Sequence, residues 1–177
     1  VTLPNGEHAV LGGRNDRFFA GTPTIPATAA TYSPTPEVRL KNGQWRTLST
    51  ATSDIAYGKL GGDSWNYPRA WVRPLGEIFI LTGSGAMFKL DTAGTGTLLK
   101  YPKNILAGRA FLPTIMFSPG RILSVRQSRK SYVVDFNGAG QPVATLSGNL
   151  AYDRQYGNLT VLPDGRVWAN GGSSTGN

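Results

Sequence analysis

The chain has 177 residues, 40% hydrophobic and 16% charged, with 23 glycines, 12 prolines and no cysteine. That length suits one ordinary domain. The lack of cysteine excludes disulfides, thiolate metal sites and cysteine nucleophiles within it. No apolar run approaches the ~18 residues of a membrane-spanning helix, so no transmembrane segment is expected. Eighteen Lys+Arg against ten Asp+Glu give a formal charge of +8. These basic residues are scattered, and their one cluster, Arg126-Gln127-Ser128-Arg129-Lys130, reads as a hairpin loop without interleaved aromatics. A solvated basic surface is expected, and no nucleic-acid partner.

Low charge with plentiful Gly, Thr, Ser and Pro predicts an all-β protein of short strands and tight turns. Val1 leads at once into Leu3-Pro4-Asn5-Gly6, a turn, so no signal peptide is expected at this end. Val1–Gly13 is the first of four segments that share one plan: apolar strand, glycine turn, apolar strand, small-residue end. Arg14–Pro36 follows as a long loop rich in Gly, Thr, Ala and Pro, with Phe18 and Phe19 as its packing residues. Glu37–Leu40, the Asn42-Gly43 turn and Gln44–Leu48 then read as a hairpin that ends in a strand carrying Trp45.

Ser49–Pro68 connects to the next unit, and its aromatics Tyr57, Trp65 and Tyr67 either plug a gap or line a ligand site. Trp71–Gly83 repeats the first hairpin, Met87–Asp91 gives a third strand and Thr97–Tyr101 an outer one. Ile115–Val125, Ser131–Phe136 and Pro142–Leu146 repeat that plan, and Asn158–Gly172 begins it once more. Asp91 and Asp135, each ending a third strand, are expected to cap the following turn through backbone N–H groups. Asn158-Leu159-Thr160 fits a glycosylation sequon, but as the start of a core strand it is expected to be structural and to carry no glycan.

The turn glycines Gly6, Gly76, Gly120 and Gly165 are spaced by 70, 44 and 45 residues. The last two intervals match the roughly 40–50 residue period of propeller blades, and the Arg14–Pro36 loop accounts for the longer first one. The expected fold is a kelch-like β-propeller of four-stranded antiparallel blades. Its units are approximately 1–48, 49–103, 104–148 and 149–177, about three and a half blades. Since a propeller ring needs ~4–8 blades, the chain is expected to be a fragment of a longer protein. Its partners would then be the remaining blades.

Local motifs for other chemistry are absent. His8 is the single histidine and sits mid-strand, so no ligand role is expected. Nothing resembles a nucleophile elbow. Gly83-Ser84-Gly85 and Gly94-Thr95-Gly96 lack the following helix that a phosphate cradle needs.

Leu162–Val167 followed by Gly171-Gly172-Ser173 and preceded by Arg154–Asn158, Trp65–Val72, Met87–Gly96 and Pro119–Leu123 together resemble the galactose oxidase/glyoxal oxidase family of copper radical oxidases. The resemblance implies a seven-bladed propeller with one copper near its axis, held by two tyrosines and two histidines. One of those tyrosines is thioether-linked to a cysteine and stores a radical. It also implies an extracellular or cell-surface enzyme that oxidises primary alcohols, aldehydes or sugars while O2 becomes H2O2.

In the family register the cross-linked tyrosine precedes Val1 and the last histidine follows Asn177. Tyr156-Gly157 stands where another blade carries Tyr-His, but lacks the histidine. Gly12-Gly13 is followed by Arg14-Asn15 rather than by the serine and tryptophan of galactose oxidase. No catalytic residue and no copper ligand is therefore expected in this chain, although copper is expected in the full protein. The same register makes Arg14, Trp65, Tyr67, Arg69 and Tyr156 candidates for the substrate-pocket wall. The alternative is a non-catalytic extracellular propeller that binds glycan or protein, or serves in a structural assembly.

Overall fold

The computed structural model describes residues 1–13, 32–58, 68–108 and 111–174. Its strands form antiparallel meanders in chain order. The first sheet is β1 (His8–Val10), β2 (Glu37–Arg39) and β3 (Trp45–Thr47), with Thr2 bridged to His8 ahead of it. A single helical turn, α1 (Asp54–Tyr57), follows. The second sheet is β4 (Arg69–Val72), β5 (Ile78–Leu81), β6 (Met87–Asp91) and β7 (Thr97–Lys100). The third is β8 (Thr114–Ser118), β9 (Arg121–Val125), β10 (Lys130–Asp135) and β11 (Val143–Asn149). The pair β12 (Asn158–Val161) and β13 (Val167–Asn170) ends the series and touches β8.

β5 shows why these sheets stack. Its run Ile78-Phe79-Ile80-Leu81 is buried at every position. Strand side chains alternate between faces, and here each face has its own core. Ile78 and Ile80 pack with Leu3, Ala9, Val38 and Leu48 of the first unit. Phe79 and Leu81 pack with Ile122, Val134 and Phe136 of the third, with Phe79 stacked on Phe136 at 4.3 Å between centroids. A strand buried on both faces reads as a continuous apolar run, and each such side chain contributes about 1.5–3 kcal/mol. Sheets packed face to face in sequence are blades: the fold is a partial β-propeller.

Three turns share one device: the one ahead of β1, the one between β2 and β3, and the one between β12 and β13. A side-chain oxygen accepts from the backbone N–H two residues on: Asn5 for Glu7, Asn42 for Gln44 and Asp164 for Arg166, each at 3.0 Å. Asp91 and Asp135 do the same for Ala93 and Asn137, as the sequence predicts. Gly6, Gly76, Gly120 and Gly165 all have positive φ, which a side chain resists.

Three expectations need correction. Arg126 is 4% exposed rather than part of a solvated loop. It directly follows β9 inside the protein, where Nη1 donates to O of Thr82, just past β5 of the neighbouring sheet, at 3.2 Å. β12 is not a core strand, because Asn158, Thr160 and Val161 are exposed; that pair has a packed sheet on its β8 side alone among the described residues. The outer strand β11 also runs three residues beyond Leu146. It is carried by a bulge between Ser131 and Tyr132 that shifts its register against β10.

Tyr57 settles the plug-or-ligand alternative for its own position. It is fully buried in the core shared by the first two sheets, held there by α1, whose N-cap Ser53 accepts from Ala56 N.

Candidate substrate-pocket wall

β4, β8 and β12 each open a sheet, and the segments just ahead of them meet. Arg69 is the first residue of β4, paired with Leu81. Its Nη2 donates to Leu112 O, two residues ahead of β8, at 3.3 Å. On the other side of that segment, Tyr156 N, two residues ahead of β12, donates to Phe111 O at 3.0 Å. The Tyr156 and Phe111 rings stack at 4.8 Å with 24° between planes. Phe111-Leu112 thus joins two of the five candidate residues, Arg69 and Tyr156, into one surface. Arg14, Trp65 and Tyr67 lie outside the described residues.

A cavity of about 290 Å3 adjoins this surface, lined by Phe111, Leu112, Gln127, Ser128, Asp153 and Gln155. Its rim holds unusual backbone. Ser128, Arg129 and Tyr156 are the non-glycine residues with positive φ among those described, at 59°, 62° and 56°. Such conformations cost about 1–3 kcal/mol each and persist where surrounding structure over-determines them. For Tyr156 the determinants are the Phe111 stack, its own backbone bond, and the paired bonds between Gln155 and Ser173 at 2.9 Å. Tyr156 remains 64% exposed, so its ring covers Phe111 and leaves its other face open. A larger cavity of about 390 Å3 lies at the outer rim, between the segment after β7 and β11, lined in part by Lys103, Asn104 and Pro142. It shares no lining residue with the Phe111–Tyr156 surface.

Arg126 stands behind this wall. Burial first, and then the neighbouring Arg69 charge, lower its guanidinium to about 10 against an opposing effect of Tyr132. Gly108 makes room for it, since a Cβ there would lie 2.7 Å from Arg126 Nη1 and 3.3 Å from Leu112 Cδ1. Sequence reasoning missed Phe111 and Arg126 as parts of this site. Phe111 had a usable signal: it precedes its first strand at nearly the distance by which Tyr67 and Tyr156 precede theirs. Arg126 had none, because its partner carbonyl belongs to another sheet.

The described residues contain no group of three His, Cys, Asp or Glu able to hold a metal. His8 is exposed and its Nδ1 lies 3.2 Å from Thr2 Oγ1. A copper centre of two tyrosines and two histidines does not fit these residues.

No family model and no curated protein matches the chain by sequence. Among solved structures it is similar to a novel fungal alcohol oxidase of the AA5 family, described in complex with copper, with a TM-score of 0.74 and 19% identity. The match covers 97% of this chain and 36% of that one. The likeness is one of fold. The chain therefore spans little more than a third of the length of the oxidase it matches. No helix among the described residues is long and apolar enough to cross a membrane.

Proposed function

We propose that this chain is an arc of a copper radical oxidase-like propeller, secreted or at the cell surface. In this reading it supplies scaffold and part of the substrate-pocket wall for oxidation of a primary alcohol, aldehyde or sugar with O2. The observation that carries the reading is the convergence of Arg69 and Tyr156 on Phe111-Leu112 beside a polar cavity. Arg69 would donate hydrogen bonds to a substrate hydroxyl or carbonyl oxygen, Tyr156 would offer a flat apolar face, and Phe111 would hold that face in place. Copper and its tyrosine and histidine ligands would come from the remaining blades, the partners of this arc. When bound, that centre would supply the one-electron chemistry of the oxidation.

The test uses the longer protein that contains this chain, loaded with copper. Peroxide release on primary alcohols, aldehydes and sugars is expected, and a copper-loaded protein inert to all three classes would exclude the oxidase reading.

A second reading has its own observation. Tyr152 is 70% exposed and, with Tyr156, flanks a cavity bearing Gln127, Asp153 and Gln155, an arrangement suited to holding a glycan without chemistry. Glycan binding by a protein that takes up no copper would favour it.

A further inference from the structure

The chain carries four Asn-Gly pairs among its described residues: Asn5-Gly6, Asn42-Gly43, Asn137-Gly138 and Asn170-Gly171. Asn-Gly is the sequence in which an asparagine side chain is most open to attack by the next backbone nitrogen, because glycine lacks a Cβ to obstruct the approach. Whether a given pair reacts depends on the freedom of that nitrogen and of the carboxamide. The fold treats the four pairs differently.

Gly6 N and Gly43 N are committed to their turns, donating to Leu3 O and Leu40 O at 2.9 Å. Their asparagine side chains are bonded at both ends, with Oδ1 accepting from the N–H of Glu7 or Gln44 and Nδ2 donating to Glu7 Oε2 or Gln44 Oε1. Asn170 is fixed in the ladder opposite Asn158 and half-buried, with Oδ1 enclosed. Asn137 combines features that the other three pairs show only in part. It lies beyond the end of β10 and is exposed like Asn5 and Asn42, while Gly138 N, like Gly171 N, has no hydrogen-bond partner among the described residues; the two conditions meet at Asn137. Its Nδ2 and its own N–H both donate to Asp135 Oδ1, at 3.2 and 3.0 Å, which folds the carboxamide back along the chain.

The geometry points to Asn137-Gly138 as a deamidation site of the folded protein. Gly138 N attacks Cγ of Asn137, the new C–N bond closes a succinimide, the Cγ–Nδ2 bond breaks, and ammonia leaves with the proton of Gly138 N. Water then opens the ring at either carbonyl, giving aspartate or isoaspartate. Water is the one co-reactant, and no electrons change hands.

The product alters a contact between blades. Arg73, 1% exposed, donates through Nε to Phe136 O at 3.2 Å and through Nη2 to Gly138 O, while Nη1 donates to Tyr101 Oη at 3.1 Å. Its guanidinium thus clasps the two carbonyls that flank Asn137. Isoaspartate adds a methylene to the backbone between them, and one planar fork no longer spans both.

The experiment keeps the full chain folded in mildly alkaline buffer for days, beside a sample in denaturant, and assigns deamidated peptides by mass spectrometry with isoaspartate detection. In the folded sample Asn137 is expected to convert about tenfold or more faster than the other three pairs, and in denaturant the four should differ by no more than about threefold. Asn5, Asn42 or Asn170 keeping pace with Asn137 in the folded chain would overturn the assignment. So would an Asn137 that reacts in denaturant alone. For the contact with Arg73, aged protein should melt below both fresh protein and Asn137→Asp, which carries the charge without the longer backbone. Aged protein that melts with Asn137→Asp would overturn the link to Arg73.

Discussion

Arg73 ties the second and third sheets together through a buried guanidinium. Three acceptors and the Glu77 carboxylate, 3.8 Å from Nη1, surround a guanidinium that water does not reach. Arg73→Ala strands two carbonyls and a phenol, and a loss of about 3–5 kcal/mol is expected in urea unfolding. Arg73→Lys should recover little of it, since an ammonium cannot span the same fork. Tyr57 is the opposite case. Its hydroxyl is enclosed without a partner, and burial pushes its phenol well above the ordinary value near 10. Below pH 10 the phenol is protonated whether the chain is folded or not. Above it the unfolded chain ionises first, so stability falls as pH rises. Tyr57→Phe should therefore be neutral to about 1 kcal/mol stabilising at neutral pH. In unfolding measured against pH it should also show a shallower loss above pH 10.

Among the elements, the turns separate what a sequence discloses from what it does not. Gly6, Gly76, Gly120 and Gly165 are legible, because a left-handed backbone between two apolar runs favours glycine whatever surrounds it. Their unequal cost is not legible. Gly165 at φ 81° has open space where a Cβ would point, whereas Gly85 at φ 86° faces Ile105, whose carbonyl carbon would lie 2.9 Å away and its oxygen closer still. Gly85→Ala should lower the melting temperature by several degrees more than Gly165→Ala, since backbone of the linker must move as well as φ strain be borne. β5 was legible as a strand from Ile78–Leu81, yet its division between two cores follows only from the sheets on either side. Arg126 was misread for the same reason: a basic cluster looks like surface until Thr82 O is placed opposite it.

At the scale of the molecule, the repeat of hairpins made the propeller readable before any coordinates, since three similar turns at near-equal spacing require stacked sheets. The surface on which two of the candidate residues meet was half readable. Arg69 and Tyr156 could be named from their register, while the Phe111-Leu112 segment that brings them together could not, because it is defined by contacts across three sheets. The most direct measurement is steady-state peroxide release by the copper-loaded longer protein, comparing wild type with Arg69→Ala and Tyr156→Ala, alongside the copper resonance spectrum. If this arc forms the pocket wall, KM for a primary alcohol rises roughly tenfold to a hundredfold in Arg69→Ala, as expected for losing a charged hydrogen bond. It rises less in Tyr156→Ala, and copper content and spectrum stay unchanged in both. Unchanged KM in both variants, or loss of copper in either, would contradict it.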